Sequence, residues 1–175
     1  LVTNGSQDVA LAFEPAEGDE LHHPPRPPRD PIFNRLMVER VIISAVVIGS
    51  VAFLLFQWLL TRGYGVDEAR NGTLLLMVLF ENIHVFNCRS EKTSIFQQNP
   101  LSNPILLFGT AAAQLIHIGA MYTPGISDVL HIQPVSIQHW GELLVLALTV
   151  LVAMELHKLL HKVLQKIFTK KILGH

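Results

Sequence analysis

The chain has 175 residues, half of them hydrophobic and only 15% charged, with a formal net charge of −1. Soluble domains carry roughly 25% charged residues, so this composition points to a membrane protein. The near-neutral balance gives no reason to expect a nucleic-acid partner. The single cysteine, Cys88, excludes an internal disulfide framework and any multi-cysteine metal site.

Residues 1–13, LVTNGSQDVALAF, form a short mixed segment. It is too short to span a bilayer, which takes about 20 helical residues. Two readings are open: the last turns of a helix that begins upstream, or a capped helix in a soluble tail. Asn4 and Asp8 stand one helical turn apart and share a face. Residues 14–37 are acidic, then proline-rich and basic, and end in an amphipathic lead-in. Proline at this density excludes a helix from the first part, which is read as a linker. His22 and His23 within it are read as solvated side chains.

Residues 41–61 run without a charge and are long enough to cross a membrane, with Trp58 placed as an interfacial anchor. A second apolar stretch, 73–88, TLLLMVLFENIHVFNC, carries Glu81, Asn82 and His84. A carboxylate at membrane depth costs about 2.5–3.5 kcal/mol on insertion scales, so such residues usually face a bundle interior, a water path or a cation. Glu81 is therefore the leading candidate for a functional side chain. Residues 105–123 form a third crossing between Pro104 and Pro124, with Gly109 and Ala113 at a spacing that permits close helix approach. Gln114 and His117 share a face of it and are read as interhelical hydrogen-bonding groups. The last crossing, near 140–156, continues into a basic amphipathic extension suited to an anionic membrane surface. His157 and His161 have the spacing of a helical metal pair, but the interleaved lysines argue against a metal site.

Basic residues orient the bundle. All of them except Arg62 and Arg70 fall on one side if four helices cross and both ends are cytoplasmic. The expected fold is all-α: a polytopic membrane bundle of four transmembrane helices plus the remnant of a preceding helix. The boundaries are 1–13 for the remnant, 14–37 for the linker and lead-in, 38–160 for the membrane domain and 161–175 for a basic cytoplasmic tail.

The order of these features resembles the C-terminal membrane part of P-type cation-transporting ATPases, with bacterial calcium-pump-like members nearest in character. LVTNG and ALAFEP look like the cytoplasmic half of the sixth pump helix, typically NLVTDG and ALGFEP in calcium pumps. RPPRDPIFNR resembles the junction into the seventh helix, and FENIHVFNCRSEKTS resembles the eighth.

The resemblance implies that Thr3, Asn4 and Glu81 contribute to a cation site. Asn4 stands where the calcium pumps have an aspartate, which removes a charge; Asp8, one turn on, is a candidate to restore it. The resemblance also implies a transported cation, calcium first, with manganese, sodium and protons open. ATP and Mg2+ would bind elsewhere in the parent protein, and the partners would be the upstream helices and cytoplasmic domains of the same pump and the lipid bilayer. The membrane expected is a bacterial plasma membrane. No DKTG signature and no phosphate-cradling glycine loop occur, so the chain alone is not expected to hydrolyse ATP. The competing readings are a structural membrane anchor, or a stand-alone four-helix channel or proton relay using Glu81, His84 and His117.

Overall fold

Asn34 opens the first long helix by accepting a hydrogen bond from the Met37 amide at 2.7 Å. The computed structural model describes residues 2–15, 33–91 and 93–173, without the side chains of residues 2–4, 6 and 168–173. Most of the proline-rich linker, with His22 and His23, lies outside the described residues. The helices are α1 (Val2–Leu11), α2 (Arg35–Thr61), α3 (Val66–Cys88), α4 (Pro104–Tyr122), the short α5 (Ile126–Leu130) and α6 (Ile137–Leu173). The amphipathic lead-in and the first crossing are thus one continuous helix. Nothing between Arg35 and Thr61 breaks it, since its one glycine, Gly49, sits in open space.

Glycine ends α2. Gly63 takes φ +88°, its amide donates to the Leu60 carbonyl, and the Tyr64 amide reaches back to the Leu59 carbonyl. This paired closure satisfies carbonyls that a free helix end would leave bare. Glu68 then accepts from the Gly65 amide at 3.0 Å, and α3 starts at the next residue, Val66. The result is a tight antiparallel α2–α3 pair.

α3 is the hub, packed against α1, α2, α4 and α6. Leu75, Leu76 and Phe80 are fully buried and meet Ala52 and Leu55 of α2 and Leu143, Ala147, Val150 and Met154 of α6. A smaller cluster joins Ala10 of α1, Val85 of α3 and Leu106 of α4. Outward-facing residues of α2, such as Val46, Phe53 and Leu54, are exposed and apolar, as a lipid-facing surface requires.

Among the described residues, three helices are long and apolar enough to cross a membrane: α2, α4 and α6. The expected fourth, α3, has the length, at 23 residues, but carries Asp67, Glu68, Arg70 and Glu81. Its neighbours explain why this is tolerated. A helix walled by other helices need not match lipid chemistry along its own length. Of the small-residue pair on α4, Ala113 is buried, whereas Gly109 faces open space among the described residues. The connector before α6 is pinned to α3 by a two-way amide contact: Asn71 Nδ2 donates to the Gln133 carbonyl, and the Gln133 amide donates to Asn71 Oδ1.

Candidate functional site

Glu81 lies half-buried on α3, and beside it Asn82 is buried and paired on both sides. Gln7 Nε2 of α1 donates to Asn82 Oδ1 at 2.7 Å, and Asn82 Nδ2 donates to Gln114 Oε1 of α4 at 2.8 Å. Three helices are joined by one line of amides. Such interhelical bonds are worth about 0.6 kcal/mol on average in membrane proteins. Their larger effect is geometric: they fix the rotation of α3 and so the direction in which Glu81 points. Among the described residues, Glu81 makes no side-chain hydrogen bond or ion pair.

α1 and α3 run parallel in a constant register. Gln7 meets Asn82, and Glu14 meets Arg89, both 75 residues apart. Thr3 and Asn4 lie on α1, one turn before Gln7; their side chains lie outside the described residues. Asp8 is exposed, on a different side of α1 from the buried Gln7. His84 is half-buried with Nδ1 unpaired, and Cys88 is exposed. On α4, Gln114 answers Asn82 as an interhelical partner, while Thr110 Oγ1, Gln114 Nε2 and His117 Nε2 are buried without partners among the described residues. Among the described residues, no three His, Cys, Asp or Glu side chains gather as a metal cage. His157 turns toward Glu39, with Nε2 at 3.6 Å from Oε2, and its ring centroid is 6.1 Å from that of His161.

Three supports around this site were not legible in the sequence. In the first, Arg89 donates from Nε and Nη2 to the Glu14 carboxylate at 2.7–3.0 Å, and to the Asn99 carbonyl and Ser102 hydroxyl. Asn103 adds a bond from Nδ2 to Glu14, a second to the Ala10 carbonyl, and caps α4 through Oδ1. One asparagine thereby closes the end of α1 and opens α4. Burial pushes the Glu14 carboxyl up, but hydrogen bonds from Arg89 and Asn103 and the Arg89 charge outweigh it and hold it below the ordinary carboxylate value.

In the second, Arg40 of α2 is buried and donates to the Asn87 and Ser90 carbonyls at the end of α3. A cation there satisfies bare carbonyls and the negative end of the helix dipole. In the third, Glu155 accepts from the Ser94 hydroxyl and the Ile95 amide, while Lys158 donates to the Thr93 carbonyl and to Glu155. α6 thus grips the loop between α3 and α4. In the sequence, Arg40, Arg89 and Lys158 were visible only as charges that orient the bundle.

Residues 1–160 match the family model described as "Cation transporting ATPase, C-terminus". The chain belongs to the C-terminal domain of P-type cation-transporting ATPases. It is 29% identical over 155 residues to the "Probable cation-transporting ATPase F" of Mycobacterium tuberculosis, covering 89% of this chain and 17% of that protein. It is 30% identical over 141 residues to the "Calcium-transporting ATPase" of Bacillus subtilis, covering 80% of this chain and 16% of the relative. It is 28% identical over 167 residues to the mouse "Calcium-transporting ATPase type 2C member 2", covering 95% and 18%. The chain therefore spans about a sixth of the length of these relatives. It is the C-terminal domain of an integral membrane cation ATPase, and the hub helix with its glutamate lies inside that domain.

Proposed function

We propose that this ATPase domain forms one wall of the pump's cation site, with Glu81 of α3 and Thr3 and Asn4 of α1 as oxygen ligands. The observation that carries this reading is the amide line through Asn82. It locks α1 beside α3 next to a half-buried carboxylate that has no partner among the described residues. Extending the parallel register puts the Asn4 backbone level with Leu79, only about 3 Å along the helix axis from Glu81. Asp8 adds a negative charge one turn from Asn4. Hard divalent cations favour such sets of carboxylate, amide and hydroxyl oxygens. Calcium is the cargo we favour, because several relatives carry that name.

ATP and Mg2+ are handled upstream, where an aspartyl-phosphate drives the cycle. This domain contributes ligands and bracing helices and no hydrolysis of its own. The start of α2 and the end of α6 lie on the cytoplasmic side of a bacterial plasma membrane, the side that the distribution of basic residues favours.

The amide line also favours a second reading, in which the polar groups serve only to bond helix to helix. Glu81→Gln in the intact pump separates the two. As a ligand, its loss raises the cation concentration needed for half-maximal ATP turnover by about tenfold or more. Turnover unchanged with calcium, manganese and sodium alike assigns Glu81 to the scaffold.

A further inference from the structure

A cavity of about 1060 Å³ opens between α2, α3 and α6 at the end of the bundle that holds the α2–α3 turn, remote from the amide line. Its size is at the upper limit of small-ligand pockets, roughly 300–1,000 Å³. Its walls are apolar: Val51, Leu54 and Leu55 on α2, with Leu143, Val145 and Leu146 on α6. These residues belong to two of the helices that are long and apolar enough to cross a membrane. The solvent at that depth is acyl chain, and an apolar slot there does not hold water.

The polar groups sit at one end only. Glu68, Asn71, His139 and Glu142 form the mouth, next to Trp58 and Tyr64. Aromatic rings of this kind mark the level of lipid headgroups. No lysine or arginine lines the cavity among the described residues, so the mouth is acidic. Glu68 spends one oxygen on the Gly65 amide, and Asn71 is tied to Gln133; Glu142 is exposed and, among the described residues, held only by a long contact from Gln138. Arg62 stands outside the lining, its guanidinium 5.1 Å from the Trp58 ring centroid. The arrangement offers carboxylates inside and a cation at the rim.

Depth decides between a lipid and a protein helix. The lining runs from Val51 to Leu59 on α2, eight steps of about 1.5 Å, or about 12 Å. On α6 it runs from His139 to Leu146, about 10 Å. A hydrocarbon core is about 30 Å thick, so the groove reaches through one leaflet and stops. A partner helix crossing the membrane would need a groove more than twice as long. An amphiphile with its head at the mouth and a chain along the slot fits the observed length.

We propose that this groove binds one zwitterionic aminophospholipid, its ammonium facing Glu142 and Glu68, its phosphate toward Arg62 and an acyl chain lying between α2 and α6. The site is independent of the cation site proposed above and stands or falls separately.

The test uses the intact pump in vesicles containing equal amounts of phosphatidylethanolamine and phosphatidylglycerol. Each lipid is supplied in turn with a photoactivatable acyl chain, and labelled peptides are located by mass spectrometry. The expected result is labelling within 51–59 and 139–146, with phosphatidylethanolamine favoured about tenfold, the worth of a charge-assisted hydrogen bond. Leu146→Trp, which fills the slot, should cut this labelling about tenfold. Glu142→Gln, at an exposed position that cannot disturb folding much, should remove the preference between the two headgroups. Equal labelling by both lipids in the unaltered pump overturns the proposal, as does undiminished labelling of Leu146→Trp. A photoreactive residue at Val145 that captures a protein segment instead of lipid also overturns it.

Discussion

Glu14→Gln is predicted to destabilise the domain more than Arg89→Met, although each removes the same ion pair. The Arg89 side chain is 3% exposed and that of Glu14 is 20% exposed. A guanidinium cannot shed its proton, so the glutamine variant leaves a buried charge with neutral acceptors alone: the Asn99 carbonyl, the Ser102 hydroxyl and the one remaining amide oxygen at position 14. Breaking a buried pair in this way costs about 3–5 kcal/mol. In the methionine variant the charge itself is gone. Glu14 keeps its bond from Asn103 and regains water at its exposed edge, for a cost of about 1–3 kcal/mol. The gap of about 2 kcal/mol is roughly thirtyfold in the unfolding equilibrium. Because the two side chains touch, the double variant should cost less than the sum of the singles. Unfolding of the intact pump in mixed detergent micelles, followed as a denaturant titration, measures all three. Equal losses in the two single variants, or an additive double, would refute the argument.

The same pair sets an acid limit. Its carboxyl is held below the ordinary value of 4.5 in the folded state, so its contribution is complete above that value. It is lost as pH falls through the lower folded value, where the unfolded chain binds the proton first. Stability of the unaltered pump should therefore fall more steeply below pH 4.5 than that of Glu14→Gln.

Further predictions follow from the other supports. Arg40→Met leaves the Asn87 and Ser90 carbonyls short of a donor at the end of α3, and should cost about 1–3 kcal/mol in the same titration. Asn82→Leu strands the amides of Gln7 and Gln114 and should destabilise by about 1–2 kcal/mol. Replacing Gln7 and Gln114 by leucine as well should recover part of that loss, since no polar group is then left unpaired; no recovery would show that the amide line is not a unit. Glu155→Gln weakens the grip of α6 on the loop at Ser94 and Ile95. Protease cleavage within 91–98 should rise about tenfold, and an unchanged rate would deny the loop this anchor.

The local rules that position the helices can be read without a structure. Asn34 before α2, Gly63 after it and Pro104 opening α4 act through their own backbone chemistry, which depends on near neighbours alone. Uncharged runs of sufficient length identify α2, α4 and α6, because a bilayer selects on length and composition. Glu81 was visible for a related reason: one carboxylate amid apolar residues is conspicuous wherever the helix goes.

The partners of each polar group were not visible. Arg40, Arg89 and Lys158 look alike in a sequence, as cations near helix ends, and were useful only for orientation. Which carbonyl or carboxylate each one meets depends on contacts 47–75 residues away, set by how α1, α2 and α6 pack around α3. Asn82 is similar: its sequence neighbours announce a polar helix, but only packing makes it the link between Gln7 and Gln114. The sequence alone determined the elements, their membrane character and Glu81 as the conspicuous carboxylate among apolar residues. Tertiary structure alone decided the hub, the clamps and the groove, because burial and pairing are properties of helix against helix, which no single stretch of chain encodes.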